Sequence, residues 1–152
     1  MSVRRAVPAD IPVLLSHAFS VIQSLPAYCG IPLDVPRVQS FLETLIQNPL
    51  DYVVLVSEAG QEITGFMFGC VVPHWFSKAR TTAVDLCLHV YEQRRGGRSG
   101  LQLIRAFESW AEEVGCSRVQ LGISTGVHAD KTQGMYLRMG YAVVGTINEK
   151  GI

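Results

Sequence analysis

A glycine- and arginine-rich turn holds the residues with the clearest capacity to bind a ligand. It reads Arg95-Gly96-Gly97-Arg98-Ser99-Gly100-Leu101, follows an apolar run typical of a strand and opens a helical pattern. The first N–H groups of a helix have no internal partner, and the positive end of the helix dipole lies beside them. Glycines let a ligand approach the main chain, and arginines add charge-assisted hydrogen bonds. The turn therefore predicts a phosphate site.

Two widespread phosphate loops do not match this turn. The chain has no Gly-Lys followed by Ser or Thr, which nucleoside triphosphatases require, and no complete Gly-x-Gly-x-x-Gly with an acidic residue about twenty positions later. An ordinary solvated strand-to-helix turn is the alternative, and the turn alone does not decide between the two interpretations.

The chain before this turn predicts strands and helices that would position it. Ser2 to Val7 is typical of a short strand, and Asp10 suits the N-cap of a first helix. Leu25 to Pro36 is rich in proline and predicts a loop, and a second helix is expected from about Val35 to Gln47.

Three strands are expected next. Tyr52 to Ser57 and Ile63 to Val72 predict an antiparallel hairpin, which we expect to end at Pro73. A loop with two aromatic residues follows, and Thr81 to Val90 predicts a third strand.

The chain after the turn alternates helix and strand. Apolar residues from Leu101 to Val114 recur at helical spacing, Ser99 and Gln102 match a capping box, and Gly115 suits the left-handed residue after the helix. The remaining elements are a strand at Arg118 to Ser124, a helix at Lys131 to Met139 and a strand at Tyr141 to about Ile147. Antiparallel hairpins followed by βαβ units favour a mixed sheet covered by helices.

Length and composition indicate a single globular domain and exclude several other classes of protein. The 152 residues fit a single domain, 1–152, and 48% of them are hydrophobic. Thirteen basic and thirteen acidic residues give zero net charge, so we expect no nucleic-acid partner. The four scattered cysteines lack metal-ligand spacing, so no metal is expected. Without a signal-like or membrane-spanning run, the expected location is the cytoplasm, with no membrane partner.

Two motifs resemble the GNAT acetyltransferases. The family's cofactor motif is [Arg/Gln]-x-x-Gly-x-[Gly/Ala]; Arg95 stands at its first position, Gly100 at its last, and Arg98 replaces its first glycine. Met135-Tyr136-Leu137-Arg138-Met139-Gly140-Tyr141 is similar to the family's closing Tyr-x-x-x-Gly-[Phe/Tyr] motif. The opening Val3-Arg4-Arg5-Ala6-Val7-Pro8-Ala9-Asp10 also resembles a common start of the family, so the likeness covers nearly the whole chain.

The resemblance implies a fold, a cofactor and a reaction. The implied fold is a central mixed, mostly antiparallel sheet of about six to seven strands, with about four helices packed on both faces. The implied co-substrate is acetyl-CoA, and the implied activity is N-acetyl transfer to a primary amine of a small molecule, peptide or protein, by direct attack in a ternary complex. Residues implied to bind coenzyme A are Leu88, Val90, Arg95, Gly96, Gly97, Arg98, Ser99, Gly100 and Leu101.

Catalytic roles follow from the same resemblance. Tyr136 matches the position whose hydroxyl often serves as general acid. Asp85 lies inside an apolar strand, where a carboxylate is costly unless it is paired or functional, so it is the candidate for taking a proton or binding the amine. A carboxylate on the solvent face is the alternative. His128 and Asp130 either contact coenzyme A or cap a helix, and His89 should face away from Leu88 and Val90.

The sequence does not decide which residues contact the acceptor, nor does it exclude other functions for this fold. Trp75 and Phe76 could form an apolar wall of the acceptor pocket, pack in a satellite cluster or join a dimer contact. A non-catalytic protein of this fold that binds coenzyme A or another protein is the main rival, and a toxin-like enzyme acting on aminoacyl-tRNA is disfavoured by the neutral charge. The short run after Gly140 predicts an exposed sheet edge, and hence a homodimer.

Overall fold

The computed structural model describes residues 2–25, 28, 30–124 and 127–150. The elements are, in order, β1 (Ser2–Arg5), α1 (Ile11–Ser24), α2 (Val35–Gln47), β2 (Tyr52–Ala59), β3 (Glu62–His74), β4 (Ser77–Val90), α3 (Ser99–Glu113), β5 (Arg118–Gln120) and α4 (Ala129–Arg138). Short 3-10 turns at Pro8–Asp10 and Glu92–Arg94 precede α1 and α3. The predicted helices and the predicted β2–β3 hairpin are confirmed.

One mixed sheet with the strand order β1-β2-β3-β4-β5 forms the centre of the fold. Neighbours along β1, β2, β3 and β4 are antiparallel, whereas β4 and β5 are parallel. The predicted architecture, a mixed and mostly antiparallel sheet, is therefore confirmed.

Helices cover both faces of this sheet, as predicted. On one face, Leu14 and Val21 of α1 and Leu42 and Leu45 of α2 form a buried cluster with sheet residues. On the other face, a second cluster buries residues of α3 and α4 against the sheet, among them Leu103, Phe107, Trp110 and Tyr136. Trp110 is 2% exposed, and its Nε1 donates to the Pro49 carbonyl at 3.2 Å.

The described strands number five, fewer than the six to seven expected. β5 covers three residues instead of the predicted 118–124, and residues 141–150 lie in no strand. Val144 is 86% exposed, and Val143 and Ile147 are also exposed. A strand forms only where a neighbour accepts and donates its main-chain hydrogen bonds, and β-branched composition does not supply that neighbour.

Pro73 does not end β3, contrary to the prediction. It pairs with Thr81 of β4, and β3 continues to His74. On its other side, β3 pairs with β2 only as far as Cys70. Because none of the described strands lies along that side at Pro73, its missing N–H leaves no ladder bond unmade there. β3 and β4 therefore extend together beyond the rest of the sheet as a long hairpin.

Arg4 ties the start of the chain to the sheet. Its guanidinium bonds the Asp10 carboxylate at 2.7 Å and the Glu58 carboxylate at 2.6 Å. Asp10 stands at the N-cap of α1, as predicted, but its carboxylate accepts from the Val7 N–H at 2.7 Å rather than from the helix. The Arg4 guanidinium holds the pKa of Asp10 below its usual value.

Candidate cofactor and active site

The strand β4 loses one neighbour half-way along its length. It pairs with β5 only from Thr82 to Val84, whereas its pairing with β3 continues to Val90. From Asp85 to Val90, β4 therefore has a described strand on the β3 side only. We call this gap the β4–β5 opening. Main-chain groups along such a one-sided strand can bond an extended ligand as an added strand would.

Two irregularities in β4 coincide with the start of the opening. Phe68 pairs with Cys87 and Gly69 pairs with Asp85, so Leu86 is an extra residue that forms a β-bulge. One residue earlier in the chain, the Asp85 carboxylate accepts a hydrogen bond from the Gly122 N–H, with the nitrogen 2.7 Å from Oδ1. Bulges bend a strand and are common beside active sites.

The predicted phosphate turn lies at the far end of β4 from the β3–β4 hairpin tip. Residues 92–98 are exposed, and Gly96 has the left-handed φ of 80° that favours glycine. The Arg95 Nε donates to the Val90 carbonyl at 3.0 Å, which folds the turn back onto the strand. Arg94 pairs with Glu62 at 2.9 Å, and Arg98 is exposed.

The start of α3 differs from the predicted capping box. Arg98 is the N-cap, without a side-chain hydrogen bond, and Ser99 is the first helical residue and fully buried. The Gln102 N–H donates to the Arg98 carbonyl at 2.9 Å, as in an ordinary helix. The Arg98 side chain therefore does not cap the first turn of α3, and a helix N-terminus of this kind is a favourable place for an anion.

Tyr136 is buried on the α3–α4 face of the sheet. It is 4% exposed, and its ring centroid lies 5.8 Å from that of Tyr141. Burial, together with the negative charge of Asp85, raises the pKa of the Tyr136 hydroxyl well above 10. The hydroxyl is therefore protonated at neutral pH, as a proton donor must be.

Asp85 lies on the same face of the sheet as Tyr136. It pairs with Gly69, where a side chain would collide with the Phe107 ring of α3. The carboxylate is half-buried rather than on an open solvent face, and this burial raises its pKa above the usual 3.8, opposed by the Gly122 hydrogen bond. A carboxylate whose pKa moves towards neutrality becomes a better proton acceptor.

Two thiols near this carboxylate are unreactive because burial also raises their pKa values. Burial, reinforced by the Asp85 charge, raises the pKa of Cys87 to about 12 and also raises that of Cys70. Because a thiolate and not a thiol is the nucleophile, neither cysteine is suited to carry an acyl group at neutral pH.

His89 faces the opposite side of the sheet, as predicted. Leu88 and Val90 pack with the α3–α4 cluster, whereas the His89 ring lies 5.5 Å from Phe66 and 5.8 Å from Tyr91. Burial, with the charges of Arg95 and His17, lowers the pKa of His89 to about 4. The sequence did not predict the influence of His17 on this pKa, because that residue lies in α1, far away in the chain.

Trp75 and Phe76 lie apart from the other candidate residues. They form the tip of the β3–β4 hairpin, where Trp75 is 96% exposed and their rings are 5.4 Å apart in an edge-on arrangement. Leu88 is eleven residues along β4 from Ser77, which corresponds to about 35 Å. Contact of this pair with an acceptor remains a prediction, and it would require an acceptor that extends along β4.

The start of α4 contains the two residues assigned either to capping or to cofactor binding. His128 is the N-cap and has a left-handed φ of 51°. Asp130 lies inside the first turn and not at the N-cap, so the alternative that it caps the helix is wrong, although its charge suits the helix dipole there.

Two further features are absent from the described part of the chain. No helix formed by these residues is both long and apolar enough to cross a membrane. Across the same residues, no three or more His, Cys, Asp or Glu side chains are grouped so that they could hold a metal ion.

Comparison with known proteins decides the family. The model of the acetyltransferase (GNAT) family matches residues 20–141. The chain belongs to the GNAT acetyltransferase family. Among proteins of curated function, none matches the sequence.

Solved structures share the fold of this GNAT chain at low sequence identity. A ribosomal-protein-alanine N-acetyltransferase from Brucella melitensis has a TM-score of 0.76 at 20% identity, with 95% of this chain and 86% of that chain covered. A predicted acetyltransferase from Clostridium acetobutylicum, solved with acetyl-CoA, has a TM-score of 0.75 at 15% identity, with 99% and 95% covered. Glucosamine-6-phosphate N-acetyltransferase from Arabidopsis thaliana has a TM-score of 0.72 at 14% identity, with 99% and 97% covered.

Proposed function

We propose that this GNAT protein is an acetyl-CoA-dependent N-acetyltransferase that acetylates a primary amine by direct attack in a ternary complex. The observation that supports this most strongly is the β4–β5 opening, which leads from the half-buried Asp85 to the uncapped start of α3. An extended amide chain with a diphosphate at one end matches the chemistry of that path.

Coenzyme A would be held along this path. The main-chain groups of Leu88 and Val90 would pair with the amides of the pantetheine arm. The N–H groups of the turn and of the first turn of α3 would bond the diphosphate, with arginine side chains adding charge. Residues of this diphosphate site are Arg95, Gly96, Gly97, Arg98, Ser99, Gly100 and Leu101.

Three groups of the chain would carry the chemistry. Asp85 would take a proton from the ammonium group, through a water molecule, so that the neutral amine can attack the thioester carbon. A main-chain N–H at Leu88 or Val90 would stabilise negative charge on the thioester oxygen. Tyr136 would donate its proton to the departing thiolate, so that an amide and a free thiol result.

The class of acceptor is a primary amine on a small molecule or a peptide. The names of two structural relatives point to different acceptors, an amino sugar phosphate and the alanine of a ribosomal protein. Since the two share a fold, acceptor choice depends on loops rather than on the sheet.

Release of thiol from acetyl-CoA in the presence of a panel of amines tests the proposal. The panel should include an amino sugar, a polyamine, an aminoglycoside and peptides with a free N-terminus. Amine-dependent release by the wild type, strongly reduced in Tyr136→Phe, supports it. Tight binding of coenzyme A without release for any amine would instead support a non-catalytic coenzyme A-binding protein, which Arg98 in place of the family's first glycine also favours.

A further inference from the structure

Asp85 occupies the point at which the β4–β5 ladder stops. The last paired residues are Val84 of β4 and Gln120 of β5. If the pairing continued in the same register, Leu86 would lie beside Gly122. Instead, the N–H of Gly122 donates to the Asp85 side chain, at 2.7 Å from Oδ1. A side-chain carboxylate thus accepts a hydrogen bond at the place where the main chain of β4 stops pairing.

The bulge at Leu86 explains why β4 does not compete for this donor. Because Leu86 is an extra residue relative to β3, β4 bends between Asp85 and Cys87. The β4–β5 pairing ends at Val84 and Gln120, just before this bend, so the Gly122 N–H has no ladder partner on β4. Gly122 is exposed, and the charged Asp85 carboxylate is a stronger acceptor for its N–H than a neutral group would be.

We propose that Asp85 is a positioning residue: its hydrogen bond to Gly122 fixes the chain after β5 at the distance that leaves room for the pantetheine arm beside β4. This inference rests on the proposed function. It is distinct from the proton transfer assigned to Asp85, because an acceptor oxygen is sufficient for positioning, whereas a titrating carboxylate is required for the chemistry.

The width of the opening matters because the arm must bond β4 as a strand would. Neighbouring strands lie about 4.7–4.9 Å apart, and a hydrogen bond weakens steeply when the donor moves by a few tenths of an ångström. Without the Asp85–Gly122 bond, the segment after Gln120 is free to close onto β4 or to move away from it. Either change would weaken the binding of coenzyme A before any chemistry takes place.

A pair of variants at residue 85 separates the two roles. Asp85→Ala removes the acceptor, and Asp85→Asn keeps an acceptor oxygen of similar reach but does not titrate. We expect Asp85→Ala to weaken the binding of coenzyme A about tenfold, the loss expected for one charge-assisted hydrogen bond. Asp85→Asn should stay within about threefold of the wild type in affinity while losing turnover. Calorimetry with coenzyme A and steady-state kinetics measure the two effects.

The exchange rate of the Gly122 amide hydrogen gives a readout that does not depend on the cofactor. It should rise about tenfold or more in Asp85→Ala without ligand, and stay close to the wild-type rate in Asp85→Asn. Gly122→Ala is the matched control, since a Cβ there would lie 3.6 Å from the Asp85 oxygen, an ordinary contact. Gly122→Pro removes the donor, while also fixing φ at this position, and should reproduce the affinity loss of Asp85→Ala. If the proline variant does not fold, as judged by circular dichroism, the two residue-85 variants decide the question.

Two results would overturn the positioning role. One is wild-type affinity for coenzyme A in Asp85→Ala, and the other is equal loss of affinity in the Ala and Asn variants. Neither result would contradict the proposed acetyl transfer. Failure of the wild type to bind coenzyme A would overturn the proposed function instead, so the two failures are distinguishable.

Discussion

The imidazole of His17 stacks on the phenol ring of Tyr91, with centroids 3.9 Å apart and planes inclined by 23°. This contact joins α1 to the end of β4, directly before the predicted phosphate turn. The Tyr91 hydroxyl is buried there without a hydrogen-bond partner in the described structure. The stack is therefore held by ring packing and not by the hydroxyl.

We predict that Tyr91→Phe leaves the free energy of unfolding unchanged or raises it by up to about 1 kcal/mol, because it removes an unpaired buried hydroxyl. Tyr141→Phe is the matched comparison, since the Tyr141 hydroxyl donates to Glu108 at 2.7 Å. That variant should lose about 1–2 kcal/mol. Urea unfolding measures both, and a destabilised Tyr91→Phe would show that the hydroxyl has a bonding partner in solution.

Stability should fall as the pH drops from 6.5 to about 4. Burial holds the pKa of His89 at about 4 in the folded chain, against an ordinary 6.5. Between these two pH values His89 binds a proton in the unfolded chain but stays neutral in the folded chain. The free energy of unfolding therefore decreases by up to about 1.4 kcal/mol for each unit by which the pH falls. His89→Phe should flatten the curve. An unchanged slope in that variant would assign the effect to other groups.

Gly100 should be required for cofactor binding but not for folding. A Cβ at Gly100 would lie 3.7 Å from Val90 Cγ2, so Gly100→Ala fits the fold and serves as the control. Gly100→Leu should abolish the binding of acetyl-CoA, because a branched side chain would fill the space beside the α3 N–H groups. Calorimetry gives the affinity and circular dichroism the fold. Unchanged affinity in the leucine variant would place the cofactor elsewhere.

Tyr136→Phe should lower kcat about 100-fold with little change in the affinity for acetyl-CoA. A proton donated mainly in the transition state contributes to the rate and not to ground-state binding. Tyr141→Phe provides the control for removing a neighbouring hydroxyl on the same face. Single-turnover kinetics should show the loss in the chemical step, and an unchanged kcat would make Tyr136 a packing residue.

We predict a homodimer whose contact includes the segment after Gly140. β5 has three residues and no described partner on its outer edge, and Val143, Val144 and Ile147 of the C-terminal segment are exposed. An open strand edge and exposed apolar residues each favour association. Light scattering should give about twice the 16.7 kDa chain mass, and Val144→Lys should shift the protein towards the monomer. A wild-type monomer at tens of micromolar protein contradicts this prediction.

Local pattern was sufficient to predict the elements whose partners are near in sequence. α2 follows helical periodicity, and the β2–β3 hairpin joins adjacent runs. The turn before α3 was predicted because glycine favours backbone conformations that other residues rarely adopt, and Gly96 has such a left-handed φ. Its binding of phosphate stays a prediction. The left-handed Gly115 after α3 was likewise predicted from its type.

Features that depend on distant partners were not predictable in this way. The hydrogen bond from Gly122 to Asp85 spans 37 positions, and the Leu86 bulge is defined only by its register with β3. The capping box at Ser99 matched in sequence, yet the helix begins one residue earlier than that motif requires, and Ser99 is buried as the first helical residue. Similarly, the composition of residues 141–147 favours a strand but provides no neighbour for it.

The two tryptophans differ in solvent exposure as much as two residues can. Trp75 projects from the hairpin tip, while Trp110 is enclosed in the α3 core and stacks on Phe107 at 5.4 Å. The intrinsic fluorescence is thus divided between an outer and an inner emitter. Iodide should quench the outer one in the native protein and reach the inner one only after the core opens. Any molecule that covers the hairpin should shift the outer emission to shorter wavelength, so a single unlabelled sample reports contacts at the tip and the integrity of the interior separately.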